Sequence, residues 1–175
     1  MTMADDRALA DLLERLRTRF YGKYRGIVSD VDAATMRIKA KVPSVLGETD
    51  TGWCMPCVPY AGPKVGLAFL PETGSGVWIE FEGGDVSYPI WVGGYWRDGE
   101  YPEDAAEQVK VIVTAAPHKI VFDDDQGSLT ISDPNGNTVT LDDSGITLAS
   151  GDSVSVVVSS SSVSVNDGAL EVQAQ

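Results

Sequence analysis

Residues 137–158 read NTVTLDDSGITLASGDSVSVVV, and this stretch decides the fold of the C-terminal third of the chain. It contains three apolar-polar-apolar units, Val139-Thr140-Leu141, Ile146-Thr147-Leu148 and Val154-Ser155-Val156. Alternation with a period of two is typical of a β-strand with one apolar face. Asp143-Ser144-Gly145 and Gly151 separate the units, and these residue types favour tight turns. The stretch therefore predicts narrow strands joined by short turns.

The same unit recurs from Ile120 to Val172, with starts 7 to 10 residues apart. Each strand offers only two or three aliphatic side chains on one face. A single chain would therefore enclose almost no core to offset an ordering cost of about 1–2 kcal/mol per residue. We expect three copies to wind about a common axis, with the aliphatic faces turned inwards and the strand edges meeting neighbouring chains.

Two other interpretations of this tail stay open, a single-chain β-solenoid and a disordered acidic linker. The regular alternation of Val and Ile with Ser and Thr argues against the linker. In the trimeric interpretation, seven aliphatic side chains are expected to fill the space around the common axis, and they are here called the needle core. They are Ile131, Leu141, Ile146, Leu148, Val156, Val163 and Val165.

Between Tyr24 and Trp96 the sequence predicts a second group of strands. They are expected at Tyr24 to Val31, Thr35 to Val42, Trp53 to Tyr60, Val65 to Leu70, Gly76 to Glu82 and Pro89 to Val92. Gly83-Gly84 and Gly93-Gly94 are interpreted as hairpin turns. Five or six short strands in about 75 residues favour a small closed barrel, because closure removes exposed strand edges. The OB-fold is the natural candidate.

Residues 4–20 predict an α-helix that precedes the barrel. Its apolar stripe consists of Leu9, Leu12, Leu13, Leu16 and Phe20. Asp residues in the first turn and Arg residues near the end match the helix dipole, and Gly22 follows as a stop signal. Such a stripe packs either on its own domain or on another protein.

Charge and composition exclude several functions. The chain has 13 Lys and Arg against 26 Asp and Glu, a formal net charge of −13. Such a surface repels phosphate, so we expect no nucleic-acid partner. No apolar stretch approaches the ~20 residues that span a bilayer, and the N-terminus mixes charged residues among its leucines. We therefore expect a soluble chain with no signal peptide.

Three motifs could carry chemistry, and each has a simpler explanation. Cys54 and Cys57 have the spacing of a redox or zinc half-site, but in a strand they point to opposite faces about 10 Å apart, too far for a disulfide. His118 is the only histidine, so any catalytic dyad would have to include it, and its place beside Pro117 between the modules argues against that role. Three copies of His118 in a trimer could ligate a metal or anion, but a surface or junction histidine is the simpler explanation. Asp123-Asp124-Asp125 lacks the further ligands of a calcium loop and favours a solvated turn. We expect no catalytic, cofactor-binding or metal site.

Six blocks in a fixed order carry a resemblance to a known family. They are YGKYRGIV at 21–28, MRIKAKVP at 36–43, PYAG at 59–62, LPETG at 70–74, VWIEFEGGD at 77–85 and YPIWVGGYW at 88–96. This series resembles the OB domain of contractile-tail spike proteins, a family that includes phage baseplate assembly protein V, cell-puncturing phage spikes and type VI valine-glycine-repeat tip proteins. A repeat-bearing tail after that domain is also the family's order.

The resemblance implies a mainly β fold with an N-terminal helix, an OB-fold barrel and an intertwined triple-stranded β-helix needle formed by a homotrimer. The expected segments are the helix at 1–21, the OB domain at 22–97, a linker at 98–117 and the needle at 118–175. Some members of the family carry a lysozyme domain between barrel and needle, but here only Arg97 to Pro117 lie between them, so the chain is expected to be non-enzymatic. The C-terminus also lacks the His-x-His that ligates iron in self-pointed tips.

The implied function is that of a structural central spike in the baseplate of a contractile phage tail or of an extracellular or secretory device, which pierces the target envelope on sheath contraction. A baseplate hub protein and a PAAR-type tip cap are the implied partners, and the envelope is touched only transiently. The resemblance also implies assembly in the bacterial cytoplasm. Leu9, Leu12, Leu13 and Leu16 are the candidate contact with the hub or with neighbouring subunits.

Three other functions compete with this interpretation. An OB-fold nucleic-acid binder would have to work with hardly any basic groove. A trimeric tail-fibre adhesin would need an aromatic-rich or loop-rich distal head. A hydrolase would need an ordered catalytic constellation, and the sequence offers none.

Overall fold

A computed structural model describes residues 3–173, without the side chains of residues 3–6, Arg15 and Leu16. It contains two compact units, Met1–Glu100 and Tyr101–Gln175. Both units are built mainly from β-strands, and a helix precedes the first strand, which confirms the predicted fold class. No helix within the described residues is long and apolar enough to cross a membrane.

The first unit is a helix followed by a small curled sheet. Its elements are α1 (Met3–Thr18), β1 (Tyr24–Asp32), β2 (Arg37–Lys41), α2 (Pro43–Leu46), β3 (Met55–Pro56), β4 (Ala61–Gly62), β5 (Val65–Gly66), β6 (Gly76–Phe81), a 3-10 turn (Glu82–Gly84) and β7 (Pro89–Tyr95). Strands β4 and β5 pair only with each other. The other five strands are ordered β2-β1-β6-β7-β3.

A single backbone bridge closes this five-stranded sheet. Strand β3 runs parallel to β7, and Cys54, just before β3, pairs with Ile38 of β2. The two ends of the sheet therefore meet, as an OB-like barrel requires. The inward side chains of the strands form the buried core, whose members are Val28, Ile38, Ala40, Val42, Cys54, Val77, Ile79, Phe81 and Trp91.

Two predicted strands are much shorter than expected. The predicted strand Trp53 to Tyr60 is reduced to β3, and the predicted strand Val65 to Leu70 is reduced to β5. Prolines explain the first difference, because Pro56 and Pro59 have no N–H to donate to a neighbouring strand.

The interpretation of Gly93-Gly94 as a turn is wrong, because both residues lie inside β7. The pairing of β6 with β7 shifts register between Val77 and Ile79, which is a β-bulge. Gly93 has a φ of 141° at this bulge, a backbone conformation that L side chains rarely adopt. The glycine pair therefore bends a strand and does not end it.

Phe20 belongs to the barrel and not to the helix stripe, because α1 ends at Thr18. Its N–H donates to the carbonyl of Gly84 at 2.8 Å. Its ring centroid lies 6.2 Å from that of Tyr24 and 6.4 Å from that of Phe81. A Cβ on Gly84 would lie 3.1 Å from the Phe20 nitrogen, so glycine permits this close approach. Phe20 thus anchors the end of the helix to the barrel.

The second unit is one antiparallel sheet of eight strands. Each strand pairs with the next along the chain, in the order β8 (Val109–Val113), β9 (Lys119–Asp123), β10 (Ser128–Ser132), β11 (Asn137–Asp142), β12 (Gly145–Ser150), β13 (Val154–Val158), β14 (Ser162–Val165) and β15 (Leu170–Gln173). Strand β8 lies within residues 98–117, the expected linker. Val109, Val111 and Val113 alternate with Lys110 and Ile112, so this strand has no purely polar face and does not match the repeat.

Strand pairing in this sheet differs from the expected hydrogen bonding between chains. The six inner strands are paired on both edges with strands of the same chain, which leaves only β8 and β15 as edge strands among residues 101–173. A second chain can therefore meet most of this sheet through side chains on its faces and not through backbone hydrogen bonds.

Candidate functional site

Strand register gives the second unit one apolar face, formed by two rows of side chains that cross all eight strands. Row 1 consists of Ile112, Ile120, Ile131, Val139, Leu148, Val156, Val165 and Leu170. Row 2 consists of Lys110, Phe122, Leu129, Leu141, Ile146, Val158, Val163 and Val172. Directly opposite residues lie on the same side of a sheet. The apolar face is therefore continuous apart from Lys110.

The opposite face, here called the polar face, is different in character. Its central row runs through Val111, Val121, Thr130, Thr140, Thr147, Val157, Ser164 and Glu171. Most of these residues tolerate water, as the outer surface of a sheet requires.

The apolar face has no cover in a single chain. None of residues 101–173 is buried. Leu148 is 46% exposed and Ile131 is 45% exposed, although both lie in the middle of row 1. At a strand spacing of about 4.8 Å, eight strands extend this surface over about 34 Å. Apolar patches of this size are rare on monomers and mark interaction surfaces.

The structure brings all seven side chains that the sequence predicted for the needle core onto the apolar face. Ile131, Leu148, Val156 and Val165 lie in row 1, and Leu141, Ile146 and Val163 lie in row 2. The prediction left out their neighbours in the same rows, although the repeat itself contains most of them. It also left out Ile112, because β8 does not match the repeat.

Short turns with acidic side chains hold the strands of this sheet together. Asp133 accepts hydrogen bonds from the backbone N–H groups of Asn135 and Asn137, both at 2.9 Å, and from the Asn137 side chain at 2.8 Å. The Asn137 side chain is the main reason that the pKa of Asp133 falls to about 2. The Ser144 hydroxyl likewise lowers the pKa of Asp142 in the next turn. These carboxylates act as turn caps.

The two cysteines lie in different environments. Cys54 is buried in the barrel core and Cys57 is exposed, and neither forms a disulfide. Burial raises the pKa of the Cys54 thiol, whose sulfur lies 3.2 Å from the Thr51 hydroxyl oxygen. Cys54 therefore serves as a small core side chain.

His118 and the Asp run lie at hairpin turns. His118 is exposed between β8 and β9, and its N–H donates to the Thr114 hydroxyl at 3.2 Å. Asp123 accepts the N–H of Gln126 at 2.9 Å across the next turn, and Asp124 pairs with Lys110. Among the described residues, no three His, Cys, Asp or Glu side chains are grouped so that they could hold a metal ion.

Several basic side chains of the barrel are paired with acids or stacked on aromatic rings. Arg19 pairs with Asp85 and Lys23 with Glu80, at 2.8 and 2.7 Å. The Arg25 guanidinium lies 5.6 Å from the ring centroid of Trp78. A nucleic-acid groove needs unpaired cations along its floor. Together with the net charge of −13, these pairings argue against the nucleic-acid-binding alternative.

Two family models match the two units separately. Residues 24–96 match the type VI secretion system/phage-baseplate injector OB domain. Residues 109–171 match the phage baseplate V C-terminal trimerisation domain, which supports a homotrimer. No curated protein matches the chain. Because the two matches cover the barrel and the eight-stranded sheet in the family's order, this chain belongs to the phage baseplate V family and is a spike component of a phage or injection-system baseplate.

Proposed function

We propose that three copies of this chain form the central spike of a contractile machine, with their second units joined into a needle. The observation that carries the proposal is the apolar face, which runs across eight strands and has no cover among residues 101–173. Three such faces turned towards one axis would cover one another and leave the three polar faces in water. The match of residues 109–171 to a trimerisation domain supports this number of copies.

The proposed needle is a three-sided prism with one sheet per chain. Each sheet is about 34 Å long across its strands, whereas a strand of five residues is only about 17 Å long. The long dimension would therefore follow the needle axis, and the strands would cross it. Hydrogen bonds between strands would then run along the axis. The aliphatic rows from Ile112 to Leu170 would fill the interior and resist buckling under axial load.

The spike would act mechanically and not as an enzyme. Sheath contraction would drive the prism through the target envelope, and the intact sheets would transmit the force. A hub protein at one end and a PAAR-type cap at the other would complete it. For the hub we propose the helix residues Leu9, Leu12, Leu13 and Leu16, of which the first three are about half exposed and the Leu16 side chain lies outside the described residues.

Particles assembled with variants of this chain test the proposal. Val156→Asp would place three carboxylates inside the prism, whereas Ser155→Asp would place them on its outer face. We expect particles with the first variant to lack an ordered needle in electron micrographs and to cause no dye leakage from target cells. Particles with the second variant should behave like wild type. Full leakage with Val156→Asp particles would exclude a needle of this construction.

A turbidity assay on peptidoglycan tests the absence of enzyme activity separately. The purified chain should leave turbidity unchanged, and clearing that tracks the protein through purification would contradict a purely mechanical role.

A further inference from the structure

One ion pair interrupts the apolar face. Lys110 is the only charged member of either row, and it lies directly opposite Phe122 in row 2. Its Nζ lies 2.5 Å from a carboxylate oxygen of Asp124. The Asp124 N–H donates to the Gln108 carbonyl at 3.0 Å, which continues the β8–β9 ladder and puts Asp124 on the apolar face. A charged pair therefore stands at the β8 end of an otherwise apolar surface.

The apolar rows by themselves specify axial register poorly. Row 1 holds eight aliphatic side chains of similar size, and row 2 repeats the same chemistry from Leu129 to Val172. If one sheet slid by a strand spacing of about 4.8 Å against its neighbours, most aliphatic contacts would be replaced by equivalent ones. Strand register within a sheet is fixed by backbone pairing, but the register between three sheets is not.

We propose that Lys110 and Asp124 form a polar layer that sets the axial register of the three chains, an inference that rests on the trimeric needle proposed above. Three-fold symmetry places the three Lys110 side chains at one height, together with the three Asp124 carboxylates. Each ammonium then faces its own carboxylate and that of a neighbouring chain, and the charges of the layer cancel.

A slipped register removes the neighbours' share of this compensation, although Lys110 keeps Asp124 of its own chain. A slip of two or three strand spacings would set this ion pair against Leu129 or Leu141 of a neighbouring chain. Burying the pair among aliphatic side chains, without the neighbours' charges, costs more than an exchange of aliphatic contacts, so slipped trimers are disfavoured. A single polar residue fixes register and stoichiometry in coiled coils for the same reason.

Complementation between two variants tests the polar layer. Lys110→Glu gives a layer of six carboxylates and Asp124→Lys gives a layer of six ammonium groups. We expect each variant alone to form a trimer that melts at least about 5 °C below wild type. Chains of the two variants, unfolded and refolded together, should form mixed trimers that regain more than half of that loss. Native mass spectrometry identifies the mixed trimers, and circular dichroism reports the melting.

A matched pair on the polar face is the control. Lys119 and Asp104 also form an ion pair, but Lys119 lies on the polar face, opposite Val113. Lys119→Glu and Asp104→Lys should each leave trimer melting within about 1 °C of wild type, because exposed ion pairs contribute little.

Each outcome decides the proposal. Recovery in the mixture supports the polar layer, including the case in which a variant alone does not fold. Melting of both single variants within about 1 °C of wild type, or a mixture that stays as unstable as its components, overturns it. A wild-type chain that is not trimeric would instead contradict the proposed function, so the two failures are distinguishable.

Discussion

Val156 is the residue at which the trimeric needle can be tested most locally. It lies in row 1 between Leu148 and Val165, and its strand neighbour Ser155 points to the other face. Val156→Asp would bring three carboxylates together in a dry interior, at a cost of several kcal/mol per ion unless they are protonated. We expect light scattering to detect loss of the trimer and thermal melts to fall by more than about 10 °C.

Ser155→Asp provides the matched control for this substitution. The Ser155 backbone N–H donates to the Asn166 side chain at 3.0 Å, and this bond does not depend on the Ser155 side chain. We expect the melting temperature of the Ser155→Asp variant to stay within about 2 °C of wild type, as for most surface substitutions. Equal effects of the two variants would exclude an interior on the Val156 side.

The lowered pKa of the turn cap Asp133 should make the stability of the folded chain depend on pH. Its folded pKa of about 2 lies below the ordinary value of 3.8. A depressed pKa means that the folded state favours the ionised form, so this stabilisation is complete above pH 4 and is lost as the pH falls towards 2. Asp133→Asn should melt at a lower temperature at pH 7 and lose less stability than wild type between pH 4 and pH 2. Melting curves of equal acid dependence would contradict this role.

At the scale of elements, substitutions of Phe20 and of the leucine stripe of α1 should differ clearly in their effect on the stability of the first unit. The Phe20 ring packs on Tyr24 and Phe81, whereas the Leu12 side chain on α1 is 53% exposed. Phe20→Ala should destabilise the first unit by about 2 kcal/mol, since it removes a partly buried aromatic ring. Leu12→Ala should change stability by less than about 0.5 kcal/mol. Chemical denaturation of residues 1–100, monitored by tryptophan fluorescence, measures both.

An effect of Leu12→Ala as large as that of Phe20→Ala would show that α1 packs on the barrel. If Leu12→Ala leaves the stability of the first unit unchanged, the leucine stripe is free for the proposed contact with a hub.

The elements that the sequence predicted well are those with a simple period. Alternation of Val, Ile and Leu with Ser and Thr from 120 to 172 predicts both the strands and the face that carries Ile131 and Leu148. Strand β8 lacks this signal because Val109 and Val111 are apolar on the polar side. The bulge at Gly93 could not be predicted from the sequence either, because it depends on a register between β6 and β7 that no local pattern encodes.

The polar layer illustrates the same limit for the candidate site. Lys110 and Asp124 are 14 residues apart, and only the antiparallel pairing of β8 with β9 brings them onto one face. In sequence, Lys110 belongs to an unremarked strand and Asp124 to an acidic turn. Interchain strand pairing was expected because alternation alone does not tell which chain supplies the neighbouring strand.

At the scale of the whole molecule, the division at Glu100 decides where the chain can be cut. Deleting residues 118–175 would leave β8, an apolar strand, without its partner β9 and with its backbone N–H and C=O groups unpaired. Such a fragment should aggregate, because an unpaired apolar strand edge recruits other strands. Deleting residues 101–175 removes the second unit entirely and keeps the buried barrel core.

The full chain and the fragment of residues 1–100 should therefore differ in oligomeric state. The full chain should give a particle of about 56 kDa, three times the 18.7 kDa of one chain, whereas the fragment should give the mass of one copy. Melting of the full chain should rise with protein concentration, because assembly stabilises the second unit by mass action, and melting of the fragment should not. A full chain that is monomeric, or a fragment that trimerises as tightly, would move the trimer contact away from the apolar face.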